Sequence, residues 1–154
     1  MTFLIRTATR ADIPLLAQFN RAMAQESEDK PLDIAKITSG ITALFDRPAE
    51  GRYLIAEDEH GVAAGALMLT FEWSDWRNGR FWWIQSVYVQ PQYRRSGVYR
   101  ALHRHVRDAA RAEPDVCGLR LYVERDNSGA QATYFAMGMV ETHYRLFEEE
   151  FERD

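Results

Sequence analysis

From Val89 to Leu102 the chain reads Val-Gln-Pro-Gln-Tyr-Arg-Arg-Ser-Gly-Val-Tyr-Arg-Ala-Leu, a strand end, a turn and a helix start. Two arginines stand directly before that helix. The N–H groups at a helix N-terminus lack intrahelical acceptors and carry partial positive charge, so cations are unfavourable there unless an anion joins them. Successive N–H groups along Arg94-Arg95-Ser96-Gly97-Val98-Tyr99-Arg100 would surround such an anion, and Gly97 would let the backbone turn tightly. The spacing is not that of a P-loop, which needs G-x-x-x-x-G-K-[ST]. Residue chemistry alone reaches a phosphate-type anion, and a plain turn with solvated arginines fits the same residues.

Other candidates lie elsewhere in the chain. Phe71-Glu72-Trp73-Ser74-Asp75-Trp76 interleaves acids with indoles near a strand end, a combination that suits a cationic amine. Glu26 and Glu28 add acids between the first helices. His103 and His105 are two apart on a helix and do not share a face, so no metal pair is expected, and no metal site is read. Cys117 has no base beside it in sequence and reads as a buried filler.

The elements that must hold these groups follow from patterning. Phe3–Thr7 reads as a strand, and Thr9 with Asp12 starts a helix carried by Ile13, Leu16, Ala17, Asn20 and Ala24. A second helix follows Pro31 and ends at Arg47-Pro48. Three strands joined by turns come next: 52–57, 64–71 and 81–89, with signals at His60-Gly61 and Arg77-Asn78-Gly79. Strict alternation on the third would put Trp83, Gln85, Val87 and Val89 on one face, and Trp82, Ile84, Ser86 and Tyr88 on the other. Val98, Ala101, Leu102, Val106 and Ala109 line a helix, followed by a strand over 118–123, so a parallel crossover is expected. A short helix from about Ser128 ends at Gly138, and the tail from Val140 to Phe151 reads as a final strand or two. The order βααβββαβαβ describes one α+β, mixed α/β domain over residues 1–154.

Composition narrows the class. In 154 residues, 46% are hydrophobic and 12% aromatic, enough for a core. No apolar run is long enough for a membrane span, and the start shows no secretory signal. One cysteine fits a reducing compartment, so the expectation is a cytoplasmic protein. The net charge of −4 argues against a general nucleic-acid binder, yet Arg94, Arg95, Arg100, Arg104, Arg107 and Arg111 crowd one segment. A local basic patch on an acidic chain points to a local anionic ligand.

Val87-Tyr88-Val89, Pro91 and Arg94-Arg-Ser-Gly-Val-Tyr99 resemble the central motif of the GCN5-related N-acetyltransferases, of the form Q/R-x-x-G-x-G/A after a strand. Asn127-Ser-Gly-Ala130, Tyr134 and Gly138-Met139 resemble the family's second motif, N-x-x-A…Y…G-F. The resemblance covers essentially the whole chain. It implies a mixed, mainly antiparallel sheet with flanking helices and acetyl-coenzyme A as cosubstrate. Main-chain groups of Val87, Tyr88 and Val89 would meet the pantetheine arm, and Arg94, Arg95, Ser96, Gly97, Val98, Tyr99 and Arg100 would cradle the pyrophosphate. Asn127 and Ala130 would contact the coenzyme, and Tyr134 would act as general acid toward the leaving sulfur. Two departures stand out. Tyr99 replaces the usual Gly or Ala, and Gln85 or Ser86 stands where many relatives place a catalytic Glu. The substitute base is Glu72 or Asp75, Glu26 or Glu28, or a base acting through ordered water; Glu72 is favoured, with Glu26, Trp73 and Asp75 facing the acceptor. The expected reaction is acetyl transfer to a small cationic or amino-acid-like amine. A peptide acceptor and a non-catalytic acyl-coenzyme A sensor are the alternatives. The aromatic-rich strands and tail are compatible with a homodimer.

Overall fold

The computed structural model describes residues 1–153. They fall into two compact units, Met1–Tyr122 and Val123–Asp154. The first unit is built on a five-stranded sheet in the order β1 (Leu4–Thr7), β2 (Gly51–Glu57), β3 (Ala63–Ser74), β4 (Gly79–Val89), β5 (Val116–Arg120). The first four pair antiparallel, and β5 joins β4 in parallel after a crossover through α3 (Val98–Arg111). The mainly antiparallel α+β architecture is therefore as expected.

Alternation on β2 sends Leu54 and Ala56 to one face, and Tyr53 and Ile55 to the other. α3 covers the first face with Val98, Leu102 and Val106. α1 (Ile13–Glu28) and α2 (Ile34–Phe45) cover the second with Leu16, Ala17, Phe19 and Ile41. Leu102 is fully buried, so truncating it to alanine should cost about 2–5 kcal/mol. Gly65 sets how closely α3 approaches: a Cβ there would lie 2.6 Å from the Tyr88 carbonyl oxygen and 3.0 Å from Val98 Cγ1. The chain thus keeps β3 bare where the first residue of α3 packs down.

Three boundaries differ from the sequence reading. β3 runs on through Glu72 and Trp73, which the pattern placed at its end. β5 starts at Val116 and stops at Arg120, and its register leaves Cys117 exposed rather than buried, as an edge strand allows. The largest correction is the tail. The second unit holds α4 (Ser128–Ala136), ended by left-handed Gly138, but residues 140–153 carry no strand. Tyr144 and Leu146 would share one face of an extended run and Phe147 and Phe151 the other, so no single apolar face specifies a strand register.

Candidate functional site

β4 is paired on both sides only near its start. Arg80–Trp83 meet Val116–Arg120 of β5, and the register with β5 ends there. From Ile84 to Val89 the strand pairs with β3 alone, leaving its other edge open. Within this stretch Ser86 has φ 52°, and the ladder passes from Met68↔Gln85 to Ala66↔Tyr88. One extra residue on β4 is thus bulged out. A bulge of this kind bends the strand and re-aims its side chains. It overturns the strict alternation: Trp82 and Ile84 face α3, as do Val87 and Val89 beyond the bulge, while Tyr88 turns to the α1 side. A non-glycine residue held left-handed inside a central strand costs roughly 1–3 kcal/mol, and such strain clusters at functional sites.

The segment after β4 is pinned at several points before it reaches α3. Gln90 donates its amide to Ala64 O at 2.8 Å and its side-chain amide to Ala63 O at 2.6 Å. Tyr93 donates its hydroxyl to Asp58 Oδ2 at 2.6 Å. That bond is the main reason the Asp58 carboxyl lies below its ordinary range and the Tyr93 phenol above it. Ser96 donates to the Tyr93 carbonyl. Arg95 and Gly97 then take φ 64° and φ 89°, two left-handed residues flanking Ser96 just before α3. A Cβ added to Gly97 would meet nothing within 4 Å, so the space over the turn is open. A 14-residue helix begins there, and the N–H groups of its first turn have no acceptor within the helix. Backbone dipoles and a concave turn together make an anion seat.

Arg94 does not point its charge into that seat. Its Nη2 donates to Glu26 Oε2 at 2.7 Å, and its Nε donates to Val89 O at 3.0 Å. Tyr88 donates to Glu26 Oε1 at 3.2 Å, and burial, reinforced by that carboxylate, raises the Tyr88 phenol. Glu26 therefore ties the end of α1 to the end of β4. Arg95, Arg100 and Arg104 form no ion pair among the described residues.

At the other end of β4 the sheet builds a side-chain cluster on its α1 face. Glu72 Oε1 accepts from Arg120 Nη1 at 2.7 Å and from Trp83 Nε1 at 3.1 Å. Arg120 also stacks 3.6 Å from the Phe81 ring centroid, and the Trp83 and Tyr122 rings lie 5.9 Å apart. Gln85 continues the polar row by donating to Thr70 Oγ1 at 2.6 Å. Among the described residues no cluster of His, Cys, Asp and Glu could hold a metal ion.

The model of the acetyltransferase (GNAT) family matches residues 16–139. The chain belongs to that family. A possible acetyltransferase from Clostridium difficile 630 is 38% identical over 99% of this chain and 100% of its own, with a TM-score of 0.91. A predicted acetyltransferase from Clostridium acetobutylicum, solved with acetyl-CoA, is 18% identical over 96% of each chain, with a TM-score of 0.79. The glucosamine-6-phosphate N-acetyltransferase of Arabidopsis thaliana is 16% identical over 97% of this chain and 99% of its own, with a TM-score of 0.72. No curated protein matches the sequence. As a GNAT member the chain is an N-acetyltransferase that takes its acetyl group from acetyl-CoA. The open edge of β4, the open space over Gly97 and the start of α3 fit that cosubstrate.

Within this acetyltransferase the expected acceptor residues are dispersed. Glu72 and Trp83 come together, but Trp73, next in sequence to Glu72, points to the opposite face, and Asp75 and Trp76 stand in the exposed β3–β4 turn. The aromatic pair beside the carboxylate is Trp83 and Tyr122. Tyr122 escaped the sequence reading because only the β4–β5 register brings it there.

Tyr99, the departure from the motif, lies one turn before a buried histidine. His103 Nδ1 is 3.0 Å from Tyr99 Oη, and Nε2 is 3.2 Å from Arg107 Nη2. A guanidinium can only donate, so Nε2 accepts, and the neutral ring carries its proton on Nδ1, toward Tyr99. Burial, helped by the Arg107 charge, pushes the His103 pKa down to about 4. In the second unit Asn127 Oδ1 caps α4 by accepting from the Ala130 amide at 3.2 Å. Burial raises the Tyr134 phenol, which keeps its proton at neutral pH.

Proposed function

We propose that this acetyltransferase acetylates the primary amine of a small cationic or amino-acid-like acceptor. The observation that carries the reading is the Glu72 cluster. A carboxylate fixed by Arg120 and Trp83, with the Trp83 and Tyr122 rings beside it, offers an ammonium both charge and π-faces. Both bonds fall on Oε1, so Oε2 remains for the acceptor. Glu72 orients the amine and takes its proton before attack. The amides from Arg95 to Arg100 hold the pyrophosphate, assisted by the Arg95 and Arg100 side chains. Main-chain groups on the open edge from Val87 to Val89 align the pantetheine arm, with Asn127 and Ala130 as further coenzyme contacts. Bound acetyl-CoA supplies the thioester acyl group. Tyr134, still protonated, gives its proton to the departing sulfur. Glu26, also read as an acceptor residue, secures the loop through Arg94.

A thiol-release assay over a panel of amines, amino acids and short peptides tests the reading. Small cationic amines should be turned over best, and Tyr134→Phe should lower kcat about 100-fold or more with little change in KM for acetyl-CoA. Preference for peptides over every small amine would overturn the acceptor class. We further read the protein as a cytoplasmic homodimer. No helix among the described residues is long and apolar enough to cross a membrane. The large exposed apolar side chains at the C-terminus support the dimer.

A further inference from the structure

We propose that Arg120 holds a carboxylate of the acceptor, so that the amine acetylated is the α-amine of a free amino acid. The inference rests on the acceptor reading above, in which Glu72 receives the amine, and adds a second charge to the molecule received. Alternation sends Leu119 and Leu121 into the α3-side core and leaves Gly118 and Arg120 on the face that carries Glu72, Phe81 and Trp83. Gly118 pairs with Phe81 across the ladder, and a Cβ there would lie 2.9 Å from Phe81 Cε1. The bare Cα lets the phenyl ring lie over β5, where the Arg120 guanidinium stacks on it. Stacking holds the guanidinium plane and presents its N–H groups edgewise, as a preorganised fork.

The protein uses one side of that fork. Nη1 donates to Glu72 Oε1, while Nε and Nη2 meet no acceptor among the described residues. Two parallel N–H groups of this kind match a carboxylate in bidentate fashion. Charge points the same way. Glu72 lies 2.7 Å from Arg120, so an ammonium at Glu72 Oε2 comes in beside a guanidinium. Arg77 sets a second guanidinium 4.9 Å from the Phe81 centroid and forms no ion pair among the described residues. Glu72 offsets one of these cations, and a carboxylate on the acceptor offsets the other. Because Glu72 and Arg120 are bonded to each other, the groups they take must be neighbours in the ligand, as the ammonium and carboxylate on one α-carbon are. The Trp83 and Tyr122 rings remain for the side chain. In the reaction the ammonium gives up two protons, one released through Glu72 and one ending on the sulfur of coenzyme A. The N–C bond forms as the C–S bond breaks, leaving an N-acetyl amino acid.

Thiol release is measured with L-phenylalanine and L-lysine, each against its own carboxamide, which keeps amine and side chain and removes the carboxylate. Each acid should show a kcat/KM roughly 10- to 100-fold above its carboxamide, as expected for one charge-assisted pair. A carboxamide's amine is the weaker base and loses its proton more readily, so amine reactivity alone would give the opposite order. Arg120→Gln should bring the ratio within about threefold of unity, and Arg120→Lys, which keeps the charge without the fork, should leave it between. The ratio does not depend on how much of a variant folds, since both partners of a pair meet the same enzyme.

Calorimetric titration of the native protein saturated with coenzyme A makes the comparison without turnover and without a variant. Each acid should bind roughly 10-fold or more tightly than its carboxamide. Carboxamides turned over or bound as well as the acids overturn the carboxylate and leave the acceptor reading standing. Other small amines reacting while both acids stay idle does the same. An acid preference that Arg120→Gln does not reduce overturns Arg120 as the holder. Failure of every small amine overturns the acceptor reading and this inference together.

Discussion

The two ends of β4 solve different problems with different materials. At its C-terminal end the proposed coenzyme seat is backbone: a bulge at Ser86, left-handed Arg95 and Gly97, and the amides that open α3. Side chains there mostly brace the turn, as Tyr93 does through Asp58 and Arg94 through Glu26. At its N-terminal end the strand is paired on both sides, with a register shift against β5 at Arg80/Phe81, and the groups proposed to meet the acceptor are side chains from three strands, Glu72, Trp83 and Arg120. A common cosubstrate needs a fixed shape, which main-chain geometry supplies. An acceptor that differs between family members is better met by side chains that can be exchanged without refolding the turn.

If that division holds, the sharpest damage comes from disturbing backbone at the C-terminal end. Gly97→Val puts a β-branched residue at φ 89° and fills the open space over the turn. KM for acetyl-CoA should rise on the order of 100-fold, because displacing a seat by about 1 Å costs that much. The left-handed strain adds about 1–2 kcal/mol, lowering Tm by roughly 2–8 °C. A coenzyme KM within threefold of native would show that side chains, not backbone, hold the phosphates.

Next in size is a pH effect on the helix that follows. His103 is fully buried with a pKa of about 4, against 6.5 when exposed. The unfolded chain therefore binds the extra proton between those values, and stability falls as pH drops from 6.5 toward 4, by about 3 kcal/mol at the limit. Melting curves from pH 7 to 4.5 should show this loss, and His103→Gln should flatten it while lowering Tm at pH 7. An unchanged slope would mean that other groups set the acid limit.

At the opposite end of β4, Glu72→Gln should lower kcat/KM for the amine on the order of 100-fold, as expected when the proton acceptor becomes an amide that cannot take the proton, and leave coenzyme KM unchanged. A shift in coenzyme KM instead would dissolve the distinction between the two ends.

This contrast also decides what could be read in advance. The turn was legible because a glycine, two arginines and a following apolar period of Val98, Leu102 and Val106 are neighbours in sequence. The strand order followed from turn signals that the structure keeps, with Gly61 and Asn78 both left-handed. The pairing of Arg94 with Glu26 was not legible, since 68 residues separate them and only the packing of α1 on the sheet brings them together. The same holds for Glu72 and Arg120 across 48 residues. The bulge at Ser86 hid for another reason: nothing in Gln85-Ser86-Val87 marks an extra residue, and only the β3 register exposes it. The tail misled because its apolar residues imply a strand, whereas residues 140–153 carry none.

The smallest effect divides the two arginines that open the turn, which sequence alone treats as equivalent. Arg94 spends its charge on Glu26 in a pair with both side chains 44% exposed, worth about 0.2–1 kcal/mol. Arg94→Ala should therefore change coenzyme KM less than about threefold and Tm by no more than about 4 °C. Arg95 has no ion partner among the described residues, and an added anion would be its first. Arg95→Ala should raise coenzyme KM roughly 5- to 10-fold at low salt, with the difference shrinking at about 1 M salt as screening shortens to roughly 3 Å. The reverse ranking would mean that Arg94 leaves Glu26 when coenzyme binds. The brace and the clamp would then be one side chain in two positions, and α1 would be released each time the cosubstrate arrives.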